Sequence, residues 1–249
     1  MKLAQRIRLH HRAWRYRLRT ERDEIRFVLQ AIGPGEVAVD IGAHKAAFTY
    51  WMARRVGVGG RVLAIEPQPE LVDYLQQAAR CLAGGPVDVL PIALSDRDGV
   101  AQLHFCGDHL GAASVEIQQG PSIDVPMRTL DEVIREHQLD APVSFIKCDV
   151  ESHELAVFRG ARHTLTTDRP VLLFESGHPE TGLDRLLPVA DFLNGLGFEG
   201  YAFHGARLIP IAEMGNTHFA PDGQWNFVFL HPAAVRIERL ESPFGLTRK

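Results

Sequence analysis

"VAVDIGAHKAAFT", Val37 to Thr49, decides the reading of the chain. Four β-competent residues end in an aspartate, Gly42 turns the backbone, and a helix-like segment with apolar periodicity begins at Ala46. A strand, a turn and a helix in that order form the opening of an open α/β sheet, where ligands lie beyond the carboxyl ends of the strands. A loop built for a pyrophosphate carries G-x-G-x-x-G, so that backbone N–H groups can approach the phosphates. Here the run is Gly42-Ala43-His44-Lys45-Ala46-Ala47, with a single glycine, which disfavours a dinucleotide such as NAD.

Working outward, strands and helices alternate. "DEIRFVLQAI" reads as a helix stopped by Gly33-Pro34-Gly35. "RVLAIEP" is a second buried strand, "PELVDYLQQAARCLA" a helix, and "VDVLPIALSD" a third strand. "DRDGVAQLHF" adds a turn and a hairpin-like extension. "IDVPMRTLDEVIREHQL" is a strand leading into a helix capped by Thr129. "VSFIKCDV" is a fourth buried strand, "HELAVFRGARHTL" a helix and "RPVLLFES" a fifth strand, before a last helix and two more strands. Nearly continuous apolar strands separated by helices predict a mostly parallel sheet covered on both faces. The residues closing its strands are Asp40, Glu66, Asp96, Asp149 and Glu175, and all are acidic.

The chain has 249 residues, 45% of them hydrophobic, enough for one substantial core. A formal net charge of −4 argues against general nucleic-acid affinity. Three widely spaced cysteines, Cys81, Cys106 and Cys148, make neither a disulfide framework nor a zinc signature, so a reducing, cytoplasmic setting is expected. No apolar run reaches the roughly 18 residues of a membrane span. Residues 1–32 read as a basic helical arm and residues 33–249 as one domain. In the arm, Lys2, Arg6, Arg8, Arg12, Arg15, Arg17 and Arg19 interleave with Leu3, Ile7, Leu9, Trp14 and Leu18. We expect a solvated helix with one stripe packed on the domain; the sharper alternative is an arm that meets acidic lipid, an anionic substrate or a second subunit. The arm and the terminal "ESPFGLTRK" both offer surfaces for a homo-oligomer.

Asp40 and Gly42 make a D-x-G turn whose glycine admits a ligand close to the backbone. Glu66 follows 26 residues after Asp40 at the end of the next strand, where a carboxylate can accept hydrogen bonds from both ribose hydroxyls of an adenosine. Plainer readings are a helix cap for Asp40 and a solvated turn for Glu66. With one glycine and two acids, the pattern favours S-adenosylmethionine, which has no phosphate and carries a charged amino-acid end.

Over Val37 to about Glu175 the chain resembles the FkbM-type methyltransferases. "VDIGAHKAAFT", "GRVLAIEPQPELVDYL", "IALSDRDG", "ASVE", "RTLDEVI", "FIKCDVESHELAVFRGA" and "RPVLLFE" carry the likeness, in order. The resemblance implies a Rossmann-like class I methyltransferase fold, a mostly parallel seven-stranded sheet with helices on both faces. It implies S-adenosylmethionine as cofactor, O-methylation of a hydroxyl on a sugar or other small or glycosylated metabolite, and Asp40, Gly42 and Glu66 as cofactor contacts, with Asp96 near the adenine. The family loop G-A-N-x-G has become Gly42-Ala43-His44-Lys45-Ala46, in which His44 keeps a hydrogen-bonding ring, and E-G-x-E has become Glu151-Ser152-His153-Glu154. These changes leave open a non-catalytic S-adenosylmethionine-binding protein that retains the fold.

"KCDVESHE" is the expected reacting end. A hydroxyl attacking a sulfonium methyl must lose its proton, so a carboxylate or histidine within reach can act as general base. Asp149 is the first candidate, His153 the second, with Glu151 beside them; Glu154 fits a helix-capping role equally well. A divalent ion such as Mg²⁺ on Asp149, Glu175 and His178 is a competing use of the same groups. Ser114 in "GAASVE" sits in a loop placed to close over a substrate.

Overall fold

The structure is a computed structural model, described here for residues 1–105, 113–116, 120–176, 183–214, 225–234 and 238–246. The chain begins with α1 (Leu3–Arg15), one π-helical turn (Tyr16–Thr20) and α2 (Arg22–Ala31). Then come β1 (Val37–Ile41), α3 (Ala47–Val56), β2 (Arg61–Ile65), α4 (Pro69–Ala79) and β3 (Val87–Leu90). Four strands, β4 (Ala93–Leu94), β5 (Gly99–Phe105), β6 (Ala113–Ser114) and β7 (Ser122–Arg128), precede α5 (Leu130–His137). The last part holds β8 (Val143–Cys148), α6 (Glu154–Arg159), α7 (Arg162–Thr167), β9 (Val171–Glu175), α8 (Leu186–Asn194), β10 (Glu199–His204), β11 (Arg207–Pro210), β12 (Asn226–Leu230) and α9 (Glu238–Phe244).

The main sheet runs β11-β10-β12-β9-β8-β1-β2-β3. β3, β2, β1, β8 and β9 are parallel, and β12, β10 and β11 extend the sheet through antiparallel pairs. It has eight strands where seven were expected, because the chain after β10 doubles back as β11 on the outer edge. The expected hairpin extension is a separate four-stranded sheet, β4-β7-β5-β6, with its own small core of Ala93, Ala101, Leu103, Val125 and Met127. Strand order reverses between β1 and β8, the place where an open α/β sheet parts to leave a ligand crevice.

Alternation along the strands decides which face each residue serves. Val39 and Ile41 join Ile146, Leu172 and Phe227 in the core under α5 to α8. Ala38, Phe145, Leu173 and Val228 join the core under α1 to α4 and α9. One pleat further along that second face the same four strands present Asp40, Lys147, Glu175 and Asn226. Asp40 pairs in register with Lys147, and Glu175 with Asn226. A polar row thus crosses the carboxyl ends of four adjacent strands.

Local sequence explains most boundaries. Thr129 caps α5, its hydroxyl accepting from the Glu132 N–H at 3.3 Å. The helix expected over "HELAVFRGARHTL" is two helices. Gly160 packs against the backbone at Ser95 where a Cβ would overlap it, and Asp131 accepts from the N–H groups of His163 and Thr164 at 2.8 Å each, giving the second helix its own start. The N-terminal helices lie against the domain. Ile25, Phe27, Val28 and Ala31 of α2 belong to the main core, as do Leu9 and Ala13 of α1, and Trp51 donates its indole N–H to the Ala13 carbonyl at 3.0 Å.

Candidate active site

A cavity of about 320 Å³ opens at the β1–β8 parting. Its floor is the row of strand tips and its one side the β1–α3 loop; Leu94 of β4, Leu103 of β5 and Val115 after β6 wall the other side. Asp40, Gly42, His44 and Glu66 all line it, as do Asp149, Glu151, His153 and Glu175. The strand-end acids therefore converge, with one exception. Asp96 is not among the lining residues, and its carboxylate faces the Ser95 hydroxyl and Arg97 instead.

Asp40 is 1% exposed, a consequence of sharing the face of Ala38 beneath α3. Thr49 of α3 donates its hydroxyl to Oδ2 at 2.5 Å, and Oδ1 has no partner. Burial, opposed by Lys147 and by Thr49, raises the carboxyl pKa. A buried acceptor without a donor, on a residue that lines the cavity, fits a ligand that brings a donor. Glu66 is no solvated turn residue, being 3% exposed. Its Oε2 accepts from the His44 N–H at 2.9 Å and its Oε1 from the Gln68 N–H at 3.0 Å, so it ties the β1–α3 loop to the end of β2. Burial raises its pKa to about 6, with those two N–H groups pulling the other way. Each oxygen keeps a lone pair for a further donor.

The loop itself is held in an uncommon shape. Gly42 has φ 75°, and a Cβ there would overlap the carbonyl oxygen of Asp149. His44 has φ 47° and Ala46 φ 62°; across the cleft Ser152 has φ 82°. So each of the three departures from the family pattern falls where the backbone is left-handed and the family residue, glycine or asparagine, is the easy occupant. The chain keeps the backbone at a cost of about 1 kcal/mol or more for each such side chain. His44 Nε2 is buried without a partner, and burial, then Lys45 and Arg12, lower its pKa to about 4, leaving a neutral ring beside the loop.

Opposite stands Lys147, which the sequence reading passed over. It is 4% exposed and donates to Asp149 Oδ2 at 2.9 Å, with its ammonium 4.7 Å from the centre of the Phe48 ring. Burial alone would depress it, but Asp149, Asp40 and Glu175 together hold it above the ordinary lysine value. A lysine inside "VSFIKC", otherwise ready to be wholly buried, was the available signal. Glu175, on the open rim, has its pKa raised by enclosure and then by Asp149, against Lys147; its tip still reaches solvent, so water screens part of that push. Tyr16 and Glu21 also line the cavity, bringing the N-terminal segment to the site. Glu21 Oε2 accepts from the Asn226 side-chain amide at 3.3 Å, and burial followed by the charge of Glu24 pushes its pKa up to about 8.

His153 is committed on both ring nitrogens, Nδ1 to Glu116 Oε1 at 2.6 Å and Nε2 to Ser95 Oγ at 3.0 Å. Glu154 does not line the cavity; its Oε1 accepts from the N–H groups of Val150 and Ser152, pinning the turn before α6. Burial takes its pKa to about 7. Of the trio offered for a divalent ion, Asp149 and Glu175 share the cavity and His178 lies outside the described residues. Asp149 already takes an ammonium, and among the described residues no three His, Cys, Asp or Glu side chains gather as a metal site. The side chain of Ser114 also lies outside what is described.

A doubly wound sheet with an acid-lined crevice at its strand reversal defines a Rossmann-like α/β protein. The chain belongs to the methyltransferase FkbM domain family, whose pattern matches residues 40–199. Hexuronic acid methyltransferase AglP of Haloferax volcanii is 28% identical over 154 residues, 61% of each chain. In fold, the chain is similar to methyltransferase FkbM from Methylobacillus flagellatus KT, with a TM-score of 0.51 and 16% identity over 83% of this chain and 50% of that one. It thus spans about three fifths and one half of the lengths of these two relatives.

Proposed function

We propose that the chain is an S-adenosylmethionine-dependent O-methyltransferase whose acceptor is a hydroxyl of a sugar or of another small or glycosylated metabolite. The observation that carries this reading is the convergence of Asp40 and Glu66, from neighbouring strand tips, on one cavity that Asp149 faces from β8. The FkbM family membership and the hexuronic acid specificity in the name of the Haloferax relative support a methyl transfer to a sugar.

S-adenosylmethionine, when bound, supplies a methyl group on an electrophilic sulfonium. Glu66 accepts the ribose hydroxyls with the lone pairs that the His44 and Gln68 N–H groups leave free. Asp40 offers Oδ1 to the ammonium of the methionine end, and Gly42 keeps the wall between them thin. Asp149 would take the proton of the acceptor hydroxyl as that oxygen accepts the methyl group, while Lys147 fixes its carboxylate through Oδ2. His153, engaged at both nitrogens, positions the segment from β8 to α6, and Glu151 stands at the acceptor rim. Aligning oxygen, methyl and sulfur supplies much of the rate.

Titration calorimetry with S-adenosylhomocysteine tests the cofactor half. Binding by the intact chain is expected, weakened about tenfold or more by Asp40→Ala or Glu66→Ala while the unfolding transition stays cooperative. Transfer of labelled methyl groups to a panel of monosaccharides, uronic acids and glycosides tests the acceptor half. A product stable to mild alkali identifies an ether and hence O-methylation of a hydroxyl; an alkali-labile product identifies an ester and overturns the hydroxyl assignment. Absence of S-adenosylhomocysteine binding would overturn the whole reading.

A further inference from the structure

The N-terminal segment has two apolar sides, and only one faces the protein. Leu9 and Ala13 are buried against the domain, where His10 Nδ1 lies 3.0 Å from the Tyr50 hydroxyl and Arg12 donates to the Tyr74 hydroxyl at 3.2 Å. Leu3 and Ile7 point elsewhere, and Trp14 shares their arc of about 40° at 100° per residue while resting edge-on against Trp51, ring centres 5.2 Å apart. Leu3, Ile7 and Trp14 are 72%, 59% and 45% exposed, and Leu18 on the following π turn is 62% exposed. Among the described residues, seven large hydrophobic side chains are exposed, and four of them are these. The one packed stripe expected from the sequence therefore accounts for only one of the helix's two apolar sides.

The flanks of the outer stripe are cationic. Arg6 borders it on one edge and Arg8 and Arg15 on the other, all exposed. Residues 1–20 contain seven Lys and Arg and no acid, on a chain whose net charge is −4, so residues 21–249 carry −11. Charge is thus sorted along the molecule rather than mixed. An apolar stripe edged by arginines on a 13-residue helix, too short to cross a bilayer, is the form that lies in the interface plane of an anionic membrane. Arg17 stays with the protein instead, its guanidinium 4.5 Å from the Trp51 ring centre.

We propose that α1 and the π turn dock the protein on an anionic lipid bilayer, with Leu3, Ile7, Trp14 and Leu18 entering the headgroup boundary and Arg6, Arg8 and Arg15 meeting lipid phosphates and carboxylates. A bilayer, rather than a second copy of this chain, fits the charge. Two copies meeting stripe to stripe would bring Arg6, Arg8 and Arg15 of one against the same cations of the other, whereas an anionic leaflet neutralises them. Tyr16, at the end of the same segment, lines the cavity, so docking holds the cavity beside the membrane surface. The inference does not depend on methyl transfer.

The test is co-sedimentation of the full chain with vesicles of phosphatidylcholine alone and of phosphatidylcholine with about one-third phosphatidylserine. Binding to the anionic vesicles is expected to exceed binding to the neutral ones by roughly tenfold and to fall as salt is raised. The variant Leu3→Glu, Ile7→Glu, Leu18→Glu should lose that binding while keeping the circular-dichroism spectrum and urea midpoint of the parent, since all three side chains are solvent-facing. Reversing Arg6, Arg8 and Arg15 to Glu should abolish the preference for anionic lipid. Equal pelleting with both vesicles, or pelleting that survives the three Leu/Ile replacements, overturns the proposal. So does a concentration-dependent dimer that those replacements dissociate in a chain that ignores vesicles, which would assign the stripe to a second copy.

Discussion

At the tips of β1 and β2, three of the four carboxylate oxygens of Asp40 and Glu66 have a donor inside the protein, and the fourth, Asp40 Oδ1, has none. At the tips of β8 and β9, Asp149 and Glu175 instead gather around one ammonium and keep contact with solvent. The first pair is fixed by short hydrogen bonds to backbone and to Thr49, so it offers one arrangement to one ligand. The second is held by charge, which tolerates displacement. A rigid grip on an invariant cofactor beside a looser rim for a variable acceptor is the division that methyl transfer to an alcohol asks for. The two halves meet where β1 pairs with β8, and tightest where Asp149 donates its N–H to the Ile41 carbonyl at 3.0 Å and Gly42 lies against the Asp149 carbonyl.

Breaking that point carries the largest expected effect. Gly42→Ala places a methyl on the Asp149 carbonyl oxygen and forces an L side chain to φ 75°. Neither the peptide at Asp149 nor the pairing of β1 with β8 can yield cheaply, so a loss above about 5 kcal/mol is expected, read as failure to recover a cooperative urea transition. A folded Gly42→Ala protein that binds S-adenosylhomocysteine normally would show that the two halves are not in contact there. Next is Lys147→Met, which removes the counter-charge of Asp149, Asp40 and Glu175 together. About 3 kcal/mol of stability should go, the low end for a buried pair because Asp149 is part exposed. If only the looser half depends on charge, S-adenosylhomocysteine affinity in the folded fraction changes less than turnover does.

pH is expected to move stability and cofactor affinity in opposite directions. Glu24, Glu66 and Glu154 have folded pKa values of about 6, 6 and 7, each raised chiefly by burial. Raised carboxyls contribute stability that is complete below their unfolded values, near 4.5, and is lost as pH rises through 6 to 7. His44, depressed to about 4, works the other way, its contribution present above pH 6.5 and lost on acidification. With Glu21, raised to about 8, and Glu175 acting in the same direction, the acids outweigh one histidine, so stability should rise between pH 8 and pH 5.5 by about 1 kcal/mol or more. Affinity for S-adenosylhomocysteine should fall over the same interval, since ribose hydroxyls favour the carboxylate form of Glu66 and must compete with its proton near pH 6. Stability and affinity moving together would remove Glu66 from the ribose.

The same division marks what could be read from sequence. Asp40, Gly42 and Glu66 were legible because a strand, a tight turn and a helix leave few places for an acid to go. The rim was legible in its Asp149, Glu151, His153 and Glu175. Lys147 hid inside an apolar strand; Asn226 and Glu21 reach the site through antiparallel pairing of β12 and through the fold-back of the N-terminal segment, neither of which periodicity reports. Asp96 closes a strand by sequence, yet β4 of the second sheet ends at Leu94 on the cavity wall, and Asp96 beyond it turns to Ser95 and Arg97. The eighth strand and the divided helix around Gly160 likewise depend on tertiary contacts.

The smallest expected effect bears on whether the altered loop is a damaged one. Ala46 sits at φ 62°, where an L residue pays about 1–2 kcal/mol that glycine does not. Ala46→Gly recovers that amount. Yet Ala46 is 0% exposed and packs in the main core, so its methyl returns about 0.8 kcal/mol on burial. Glycine in the unfolded chain also has more freedom to lose, worth about 0.4–1 kcal/mol. These terms nearly cancel, and the urea midpoint of Ala46→Gly should match the parent to within about 0.5 kcal/mol, with S-adenosylhomocysteine affinity changed less than about threefold. A gain well beyond that in both would mean that the methyl strains the loop out of its binding shape; a loss would mean that packing at Ala46 holds the grip on Glu66 together.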